Sequence, residues 1–329
     1  MSLSPIAERY ARLDALDARE LDDTTAYLAG GTDLVPLQRS GVTSLDTLLD
    51  LKSSGLGRSI ESNDGAWHIG SLATLSDLED HDGLADDAAA VREAMQQTAT
   101  RQIRNRATIG GNLLQRPRCS YFRDADISCW MKGGSGCPAR EGRTEYLGVV
   151  APDEDSPCVA VQPSDLASVL VMLDATVDIT VPGGGNRQVD VADFLAPPTS
   201  DRRSLNTLRD GEIIERVLIP AGSPDRRTTY RKAMDRAVWQ FALVGLAVSI
   251  DVDESGSVSS AALVASGVGA VPRLLTSTRD TLVGSVLDDR SIDSAARAAT
   301  DGLTPLADNR YKLDLLQGLV RQALRDLTG

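Results

Sequence analysis

The chain has 329 residues, which is enough for two domains with buried cores. Its formal net charge of -13 argues against nucleic-acid binding, because phosphate recognition needs a basic surface. The sequence begins without an apolar run behind a basic region, and no stretch is long enough to span a membrane. We therefore expect no membrane insertion and a cytoplasmic protein.

The first motif is a pair of glycines behind a predicted strand. Residues 27–34 are Tyr-Leu-Ala-Gly-Gly-Thr-Asp-Leu. This order predicts a strand end, a tight turn and a helix that Thr32 or Asp33 caps and Gly41 ends. Paired glycines let the backbone approach an anion, and a helix N-terminus offers free N–H groups to a phosphate. Gly-Gly turns before helices are also common without a ligand, so the motif alone is compatible with a phosphate-binding turn and with a purely structural one.

The next elements follow from turn chemistry and helical spacing. Residues 63–65, Asn-Asp-Gly, predict a hairpin. A strand begins at Trp67 and turns into a helix near Thr74. Residues 86–104 predict one continuous helix.

A second Gly-Gly turn occupies residues 110–111, between Thr108 and Asn112. These neighbours supply a hydroxyl, an amide and bare backbone, which are the groups that a ribityl chain or a pyrophosphate needs. Two such turns in one chain favour a nucleotide-binding protein.

All four cysteines lie in a segment at residues 116–160 that is rich in Gly, Pro, Ser, Asp and Arg and has no helical or strand periodicity. They are Cys119, Cys129, Cys137 and Cys158. We expect reduced thiols, because disulfide-dense scaffolds are short secreted domains. Four thiolates suit an iron–sulfur cluster or zinc, and the absence of CxxC pairs favours the cluster over zinc or free thiols. Arg116, Arg118 and Arg123 would offset its negative charge, unless they form a solvated face.

The remaining elements divide at a plausible domain boundary near residues 221–225. Before it we predict a helix capped at residues 163–165, a hairpin over 175–189 and a strand over 212–220. Beyond it the sequence predicts a small α+β domain with the sheet first and the helices packed on it. Its predicted strands are residues 228–234, 241–252 and 257–267, and its predicted helices are residues 272–282, 291–300 and 309–327.

Together these motifs resemble the FAD-binding medium subunit of the molybdenum hydroxylases, the xanthine dehydrogenase and carbon-monoxide dehydrogenase family. The matching pieces are residues 29–34, Ile69-Gly70 with Thr74, residues 102–105 and 107–112, residues 163–165, Tyr230 with Lys232 and Arg236, and residues 267–272. The resemblance covers nearly the whole chain. It implies an α+β fold, with a two-subdomain FAD-binding domain of the PCMH-like type at residues 1–222 that contains the cysteine segment. A small antiparallel sheet and three helices would follow at 223–329.

The resemblance also implies the cofactor-binding residues. The FAD pyrophosphate would lie on backbone amides of the first turn, and the second turn would complete the cradle. Asp165 would hydrogen-bond a polar part of the cofactor, and Lys232 would lie close to the flavin; a solvated strand residue is the other interpretation of Lys232. The turn residues are Leu28, Ala29, Gly30, Gly31, Thr32, Asp33 and Leu34 in the first, and Thr108, Gly111 and Asn112 in the second.

Most members of that family lack the cysteine segment. It occurs in the hydroxybenzoyl-CoA reductases and in a group of bacterial aldehyde oxidoreductases, where it holds an additional [4Fe-4S] cluster. The residues around the cysteines here are nearer to the aldehyde group. The resemblance thus implies a [4Fe-4S] cluster on Cys119, Cys129, Cys137 and Cys158.

The implied function is electron transfer between iron–sulfur clusters and an external acceptor through FAD, in aldehyde oxidation. The implied partners are a large molybdopterin-binding subunit and a small [2Fe-2S] subunit, and no residue of this chain would perform acid–base or nucleophilic catalysis. Export beside a partner with a twin-Arg signal is compatible with the family. One alternative is the beta subunit of a hydroxybenzoyl-CoA reductase-type enzyme. Another is a zinc-stapled nucleotide-binding module without a redox role.

Overall fold

The computed structural model describes residues 7–150, 155–236 and 239–328. The strands are β1 (Arg9–Arg12), β2 (Thr25–Leu28), β3 (Thr47–Asp50), β4 (Ile60–Asn63), β5 (Ala66–Gly70), β6 (Thr176–Thr180), β7 (Asn186–Asp190), β8 (Ile213–Pro220), β9 (Arg227–Ala233), β10 (Val244–Val252), β11 (Val258–Ser266) and β12 (Arg273–Leu274). The helices are α1 (Leu34–Arg39), α2 (Leu75–Glu79), α3 (Asp82–Asp87), α4 (Ala89–Gln96), α5 (Arg101–Arg104), α6 (Ile109–Leu113), α7 (Ser120–Arg123), α8 (Asp165–Met172), α9 (Val191–Phe194), α10 (Thr276–Leu282), α11 (Asp289–Ala298) and α12 (Tyr311–Asp326).

The strands form three separate sheets. A small parallel sheet has the order β1-β3-β2, and a five-stranded antiparallel sheet has the order β4-β5-β8-β6-β7. The C-terminal sheet is antiparallel, with the order β12-β11-β10-β9. The predicted α+β class is confirmed, including the C-terminal sheet that precedes three helices.

The largest core joins the five-stranded sheet, helices α2, α4 and α8, and one face of the C-terminal sheet. Strand β10 is buried on both faces, because successive side chains of a strand point in opposite directions. Ala247 belongs to this core, whereas Leu246 and Val248 belong to a second core beneath α10, α11 and α12. Helix α8 buries all of its residues, since it packs against α4 and against β10 and β11.

Local turn chemistry gave correct predictions at several places. The hairpin of β4 and β5 turns at Asp64 and Gly65, which both have positive φ, as a two-residue hairpin requires. Ser164 caps α8, because its hydroxyl oxygen accepts the N–H of Ala167 at 3.0 Å. The capped helix and the hairpin of β6 and β7 are therefore confirmed.

The single helix predicted over residues 86–104 is wrong. The structure has α4 and α5 there, separated by a turn in which Ala99 adopts φ +53°. A long-range contact helps to hold this turn, because Thr98 donates a hydrogen bond to Asp165 at 2.9 Å, and nearby Arg104 donates to the carbonyl oxygen of Thr98 at 2.9 Å. Tertiary contacts override helix propensity at this point.

The described part of the cysteine segment contains helix α7 and two short 3-10 turns, Trp130–Lys132 and Pro138–Arg140, and no strand. Residues 151–154 of the segment lie outside the described residues. The prediction of a long connection without repeating structure is confirmed for the rest.

Candidate cofactor site and cysteine segment

A cavity of about 720 Å³ lies where the two Gly-Gly turns, the cysteine segment and the C-terminal domain meet. Its volume is in the range of small-molecule and cofactor sites. The predicted cofactor-binding residues that line it are Thr32, Asp33, Gly111, Asn112, Asp165 and Lys232. The other predicted cofactor-binding residues, which do not line the cavity, are Leu28, Ala29, Gly30, Gly31, Leu34 and Thr108.

The first Gly-Gly turn packs against the backbone that leads into the second. A Cβ atom on Gly30 would lie 2.0 Å from the carbonyl oxygen of Arg106, which immediately precedes the second motif. Gly31 has φ +74°, a conformation that L side chains rarely adopt. Glycine at both positions therefore lets the first turn lie against the backbone of the second motif at the edge of the cavity.

Thr108 and Asn112 organise the second turn from within. The hydroxyl oxygen of Thr108 accepts the N–H of Gly111 at 3.2 Å and so caps α6. The side-chain amide oxygen of Asn112 accepts a hydrogen bond from the hydroxyl of Ser164, which caps α8. The starts of two helices are thereby fixed beside the cavity wall.

Asp33 stands at the N-cap position of α1, but the prediction that a side chain caps this helix is wrong. Its carboxylate makes no capping hydrogen bond. It instead accepts the backbone N–H of Arg116 at 2.8 Å and the guanidinium of Arg123 at 2.8 Å, and it lies 2.9 Å from Arg118 Nη2. Three charged or backbone donors outcompete the local cap. Asp33 therefore links the first Gly-Gly turn to the cysteine segment.

Asp165 and Lys232 form a buried ion pair with 2.7 Å between Oδ2 and Nζ, and their side chains are 4% and 1% exposed. The other carboxylate oxygen of Asp165 accepts the hydroxyl of Tyr230 at 2.7 Å. Lys232 Nζ also donates to the carbonyl oxygen of Gln97 at 2.9 Å. Burial, followed by the charge of Asp165, raises the pKa of Tyr230 well above its usual range, so this phenol stays a hydrogen-bond donor. The alternative of a solvated Lys232 is thus wrong.

The four cysteines are free thiols. Cys119, Cys129 and Cys158 share one apolar cluster with Trp130, and Cys119 and Cys137 share another. The described residues contain no group of three or more His, Cys, Asp or Glu side chains already arranged to hold a metal ion. The predicted cysteine ligands are therefore neighbours in the fold that do not form a closed metal site.

The environment of the thiols favours their protonated form in the absence of metal. Burial raises the pKa of Cys158 to about 12, and the charges of the other three thiols add to this shift. Burial also raises the pKa of Cys119, although the backbone N–H groups of Phe122 and Tyr121 oppose the shift. Nearby backbone N–H groups likewise oppose the rise in the pKa of Cys129 and of Cys158.

The C-terminal end of the chain holds residues 144–149 of the cysteine segment in place. Asn309 Nδ2 donates to the carbonyl oxygen of Gly148 at 3.0 Å. The N–H of Thr304 donates to the carbonyl oxygen of Val149 at 2.6 Å. The segment therefore rests on both domains.

Sequence reasoning missed the aromatic residues of the cavity wall. Trp239, Phe241 and Tyr146 line the cavity and are between 44% and 55% exposed, so they lie at its mouth. Arg118 stacks on Phe241 with 4.5 Å between Cζ and the ring centroid, and Arg236 stacks on Trp239 at 5.3 Å. Aromatic residues make up only 4% of the chain, so the two aromatic residues just after Arg236 could have indicated a ligand-contacting surface.

No helix among the described residues has the length and apolar character needed to cross a membrane.

Comparisons with known proteins agree with this geometry. Residues 9–222 match the FAD binding domain in molybdopterin dehydrogenase, and residues 228–327 match the CO dehydrogenase flavoprotein C-terminal domain. The chain is 34% identical to the aldehyde oxidoreductase FAD-binding subunit PaoB of Escherichia coli, over 91% of this chain and 90% of that protein. It is 24% identical to the glyceraldehyde dehydrogenase medium chain of Sulfolobus acidocaldarius, over 95% of this chain and 94% of that protein.

Solved structures share the fold. A chain of the Cu,Mo-CO dehydrogenase in its cyanide-inactivated form matches with a TM-score of 0.73 and 21% identity, covering 96% of each chain. A chain of quinoline 2-oxidoreductase from Pseudomonas putida 86 matches with a TM-score of 0.74 and 20% identity, covering 99% of this chain and 98% of that one. With a family profile matched over most of its length and a relative that it matches nearly end to end, the chain belongs to the FAD-binding medium subunits of the molybdenum hydroxylase family.

Proposed function

We propose that the chain is the electron-transfer subunit of an aldehyde-oxidising molybdopterin enzyme and that it carries both FAD and a [4Fe-4S] cluster. The observation that carries the proposal is the cavity at the junction of two Gly-Gly turns, with Cys119 in its wall. FAD supplies the redox chemistry there, by exchanging electrons with iron–sulfur clusters and an external acceptor. The residues of this chain bind it, orient it and exclude water.

The proposed FAD site uses both turns and the buried ion pair. Backbone N–H groups of residues 28–34 would hold the pyrophosphate, with Thr108, Gly111 and Asn112 on the facing turn. Thr32, Asp33, Gly111 and Asn112 line one cavity, which supports this arrangement because it brings residues of both turns to the same ligand site. Asp165 and Lys232 line the same cavity, where Asp165 would hydrogen-bond a polar part of the cofactor and Lys232 would lie close to the flavin.

The proposed cluster ligands are Cys119, Cys129, Cys137 and Cys158. Their shared apolar clusters support the assignment. Arg116 lies within electrostatic reach of Cys129 and Cys158, and positive charge there offsets the charge of thiolates. Metal binding would deprotonate the thiols and draw them together, since ligation and local ordering are coupled.

Purification of the chain without oxygen, followed by flavin, iron and zinc analysis, tests both cofactors. We expect a flavin spectrum on a broad brown absorbance and about four irons per chain, as for a thiolate-held [4Fe-4S] site. C119S and C158S should lose the iron and retain FAD. A purified chain that contains flavin but no iron would contradict the cluster assignment. A chain that contains zinc but no flavin would favour the zinc-stapled nucleotide-binding module.

The proposed substrate class is aldehydes, supported by the 34% identity to an aldehyde oxidoreductase subunit over nearly the whole chain. The alternative is a hydroxybenzoyl-CoA reductase-type complex in which electrons run inwards. Assays of the whole complex with aliphatic and aromatic aldehydes and with a hydroxylated aryl-CoA separate them. A complex that turned over the aryl-CoA and no aldehyde would indicate electron flow in the direction opposite to the proposed one.

The proposed partners are a large molybdopterin-binding subunit and a small [2Fe-2S] subunit. The description of relatives as medium chains supports this, because it implies other chains in those enzymes. Affinity purification of the tagged chain from its native cells should recover both partners, with molybdenum and with iron in excess of four per complex. Recovery of the chain alone would contradict this assembly.

The proposed domain division lies at residues 222 and 223, and the matched family ranges of 9–222 and 228–327 support it. We also propose a cytoplasmic location, supported by four free thiols, which are typical of reducing compartments. Cell fractionation tests the location, and recovery in an exported fraction would indicate transport beside a partner with a twin-Arg signal.

A further inference from the structure

Positive charge exceeds negative charge where the first Gly-Gly turn contacts the cysteine segment. The carboxylate of Asp33 is 15% exposed and accepts the backbone N–H of Arg116. Two guanidinium groups pair with its Oδ1 atom, at 2.9 Å for Arg118 and 2.8 Å for Arg123. One carboxylate cannot neutralise both guanidinium groups, so this cluster favours an anion nearby.

The three arginines have different surroundings. Arg116 is close to Cys129 and Cys158. Arg123 is bound to the carbonyl oxygen of Pro117 at 2.7 Å in addition to Asp33. Neither lines the cavity, whereas Arg118 does.

Arg118 is positioned at the cavity with hydrogen-bonding capacity to spare. Its Nη2 atom is held by Asp33 at 2.9 Å and by the amide oxygen of Gln115 at 3.2 Å, and its guanidinium stacks on Phe241. Its Nε atom is buried and has no hydrogen-bond partner. A buried donor without a partner costs free energy until a ligand satisfies it.

We propose that Arg118 binds the pyrophosphate of FAD and that Asp33 is the positioning residue that aims it. The inference rests on FAD binding in this cavity, as proposed above. A guanidinium matches the geometry of phosphate oxygens, and it brings charge that the backbone amides of the two turns do not have.

The assignment gives the cysteine segment a part in cofactor binding. The residue next to Cys119 holds the phosphate end of FAD, while Asp33 ties that residue to the first turn. A chain whose cysteine segment is displaced should therefore bind FAD less tightly.

The test compares ligands that differ in their phosphates. Full-length chain freed of flavin is titrated with FAD and with riboflavin, by flavin fluorescence, and with ADP as a competitor. The variants are R118Q, R118K and the matched control R123Q, which also loses one contact to Asp33 but lies outside the cavity. Loss of a hydrogen bond to a charged group costs about 1.5–3 kcal/mol, which is roughly a ten- to hundredfold change in Kd.

We expect R118Q to weaken FAD and ADP binding by about this factor and to leave riboflavin binding within about twofold. The dependence of FAD binding on salt should also fall, because one phosphate contact is lost. The FAD affinity of R118K should lie between those of R118Q and the parent chain, and R123Q should bind FAD nearly as the parent does. Circular dichroism checks that each variant is folded.

Two results would overturn the role of Arg118 without overturning the assignment of the cavity to FAD. One is an R118Q chain that binds FAD like the parent, and the other is an equal loss of FAD and riboflavin, which indicates a distorted cavity. Failure of the parent chain to bind FAD would instead overturn the cavity assignment together with this role.

Discussion

The ammonium of Lys232 and the carboxylate of Asp165 lie 2.7 Å apart, and they join the first strand of the C-terminal sheet to the helix that follows the cysteine segment. Tyr230 and Thr98 donate to the same carboxylate. The ion pair and the Tyr230 hydrogen bond are therefore polar contacts between two parts of the chain that also pack through apolar side chains.

Substitution D165N should destabilise the chain strongly, because it leaves the ammonium of Lys232 buried without a counter-charge. Removing one partner of a buried pair costs roughly 3–5 kcal/mol of unfolding free energy. The control D289N breaks the exposed pair of Asp289 with Arg325, whose side chains are 86% and 55% exposed, and should cost less than about 1 kcal/mol. Urea unfolding measures both variants, and equal losses would show that the buried pair contributes no more than a surface pair.

Substitution G30A should impair FAD binding, because its Cβ would lie 2.0 Å from the carbonyl oxygen of Arg106 and one of the two turns must move. The control G318A places a methyl group in open space on the exposed face of α12. It should stabilise the chain by about 0.5–1 kcal/mol, as alanine does in a helix, and leave flavin content unchanged. Flavin per chain and urea unfolding report the two effects. A G30A chain with full flavin would contradict the close packing of the turns.

Lys312 should make the stability of the chain rise with pH above neutrality. Burial lowers its pKa from 10.5 to about 7, and its Nζ atom donates to the carbonyl oxygen of Gly267. Between these two pH values the unfolded chain binds more protons than the folded chain, so the unfolding free energy rises by up to about 1.4 kcal/mol per pH unit. Below about pH 7 the lysine is protonated in both states, and its contribution no longer changes.

Variant K312M should remove this rise, and the control K52M, at a partly exposed lysine, should keep it. Urea midpoints at pH 7 and pH 9 for the three chains measure the difference. A rise in K312M as large as that of the parent would assign the pH dependence to other groups.

Cys158 should react slowly with iodoacetamide in the folded, metal-free chain at pH 7. Burial raises the pKa of its thiol to about 12, and the thiolate is the reactive form. The rate should increase about tenfold per pH unit in alkaline solution and should reach the ordinary value when the chain is unfolded. Peptide mapping after timed alkylation measures it. Rapid labelling at neutral pH in the folded chain would contradict the buried environment.

Local chemistry made much of the fold predictable. The hairpin turn at Asp64 and Gly65 and the cap at Ser164 depend on residues within three positions of each other. The break at Ala99 was not predictable in this way, because its neighbour Thr98 hydrogen-bonds to the distant Asp165. The backbone conformation there depends on a residue far away in the chain, and the spacing of residues in the sequence does not predict such contacts.

The candidate site also combines features that local sequence predicts with features that depend on distant residues. The two Gly-Gly turns were visible in the sequence because glycine has a distinctive backbone role at Gly30 and Gly31. The function of the Asp33 carboxylate was not visible, because its partners are more than eighty residues away in the chain. The stacking of Arg118 on Phe241 joins positions still further apart.

The anchoring of residues 144–149 by Thr304 and Asn309 has a consequence for the order of biosynthesis. A ribosome must translate more than nine-tenths of the chain before these anchors exist. The cysteine segment consequently reaches its final form late, after the N-terminal sheets have been made. Under the cluster assignment proposed above, metal delivered to the thiols would therefore meet a nearly finished chain.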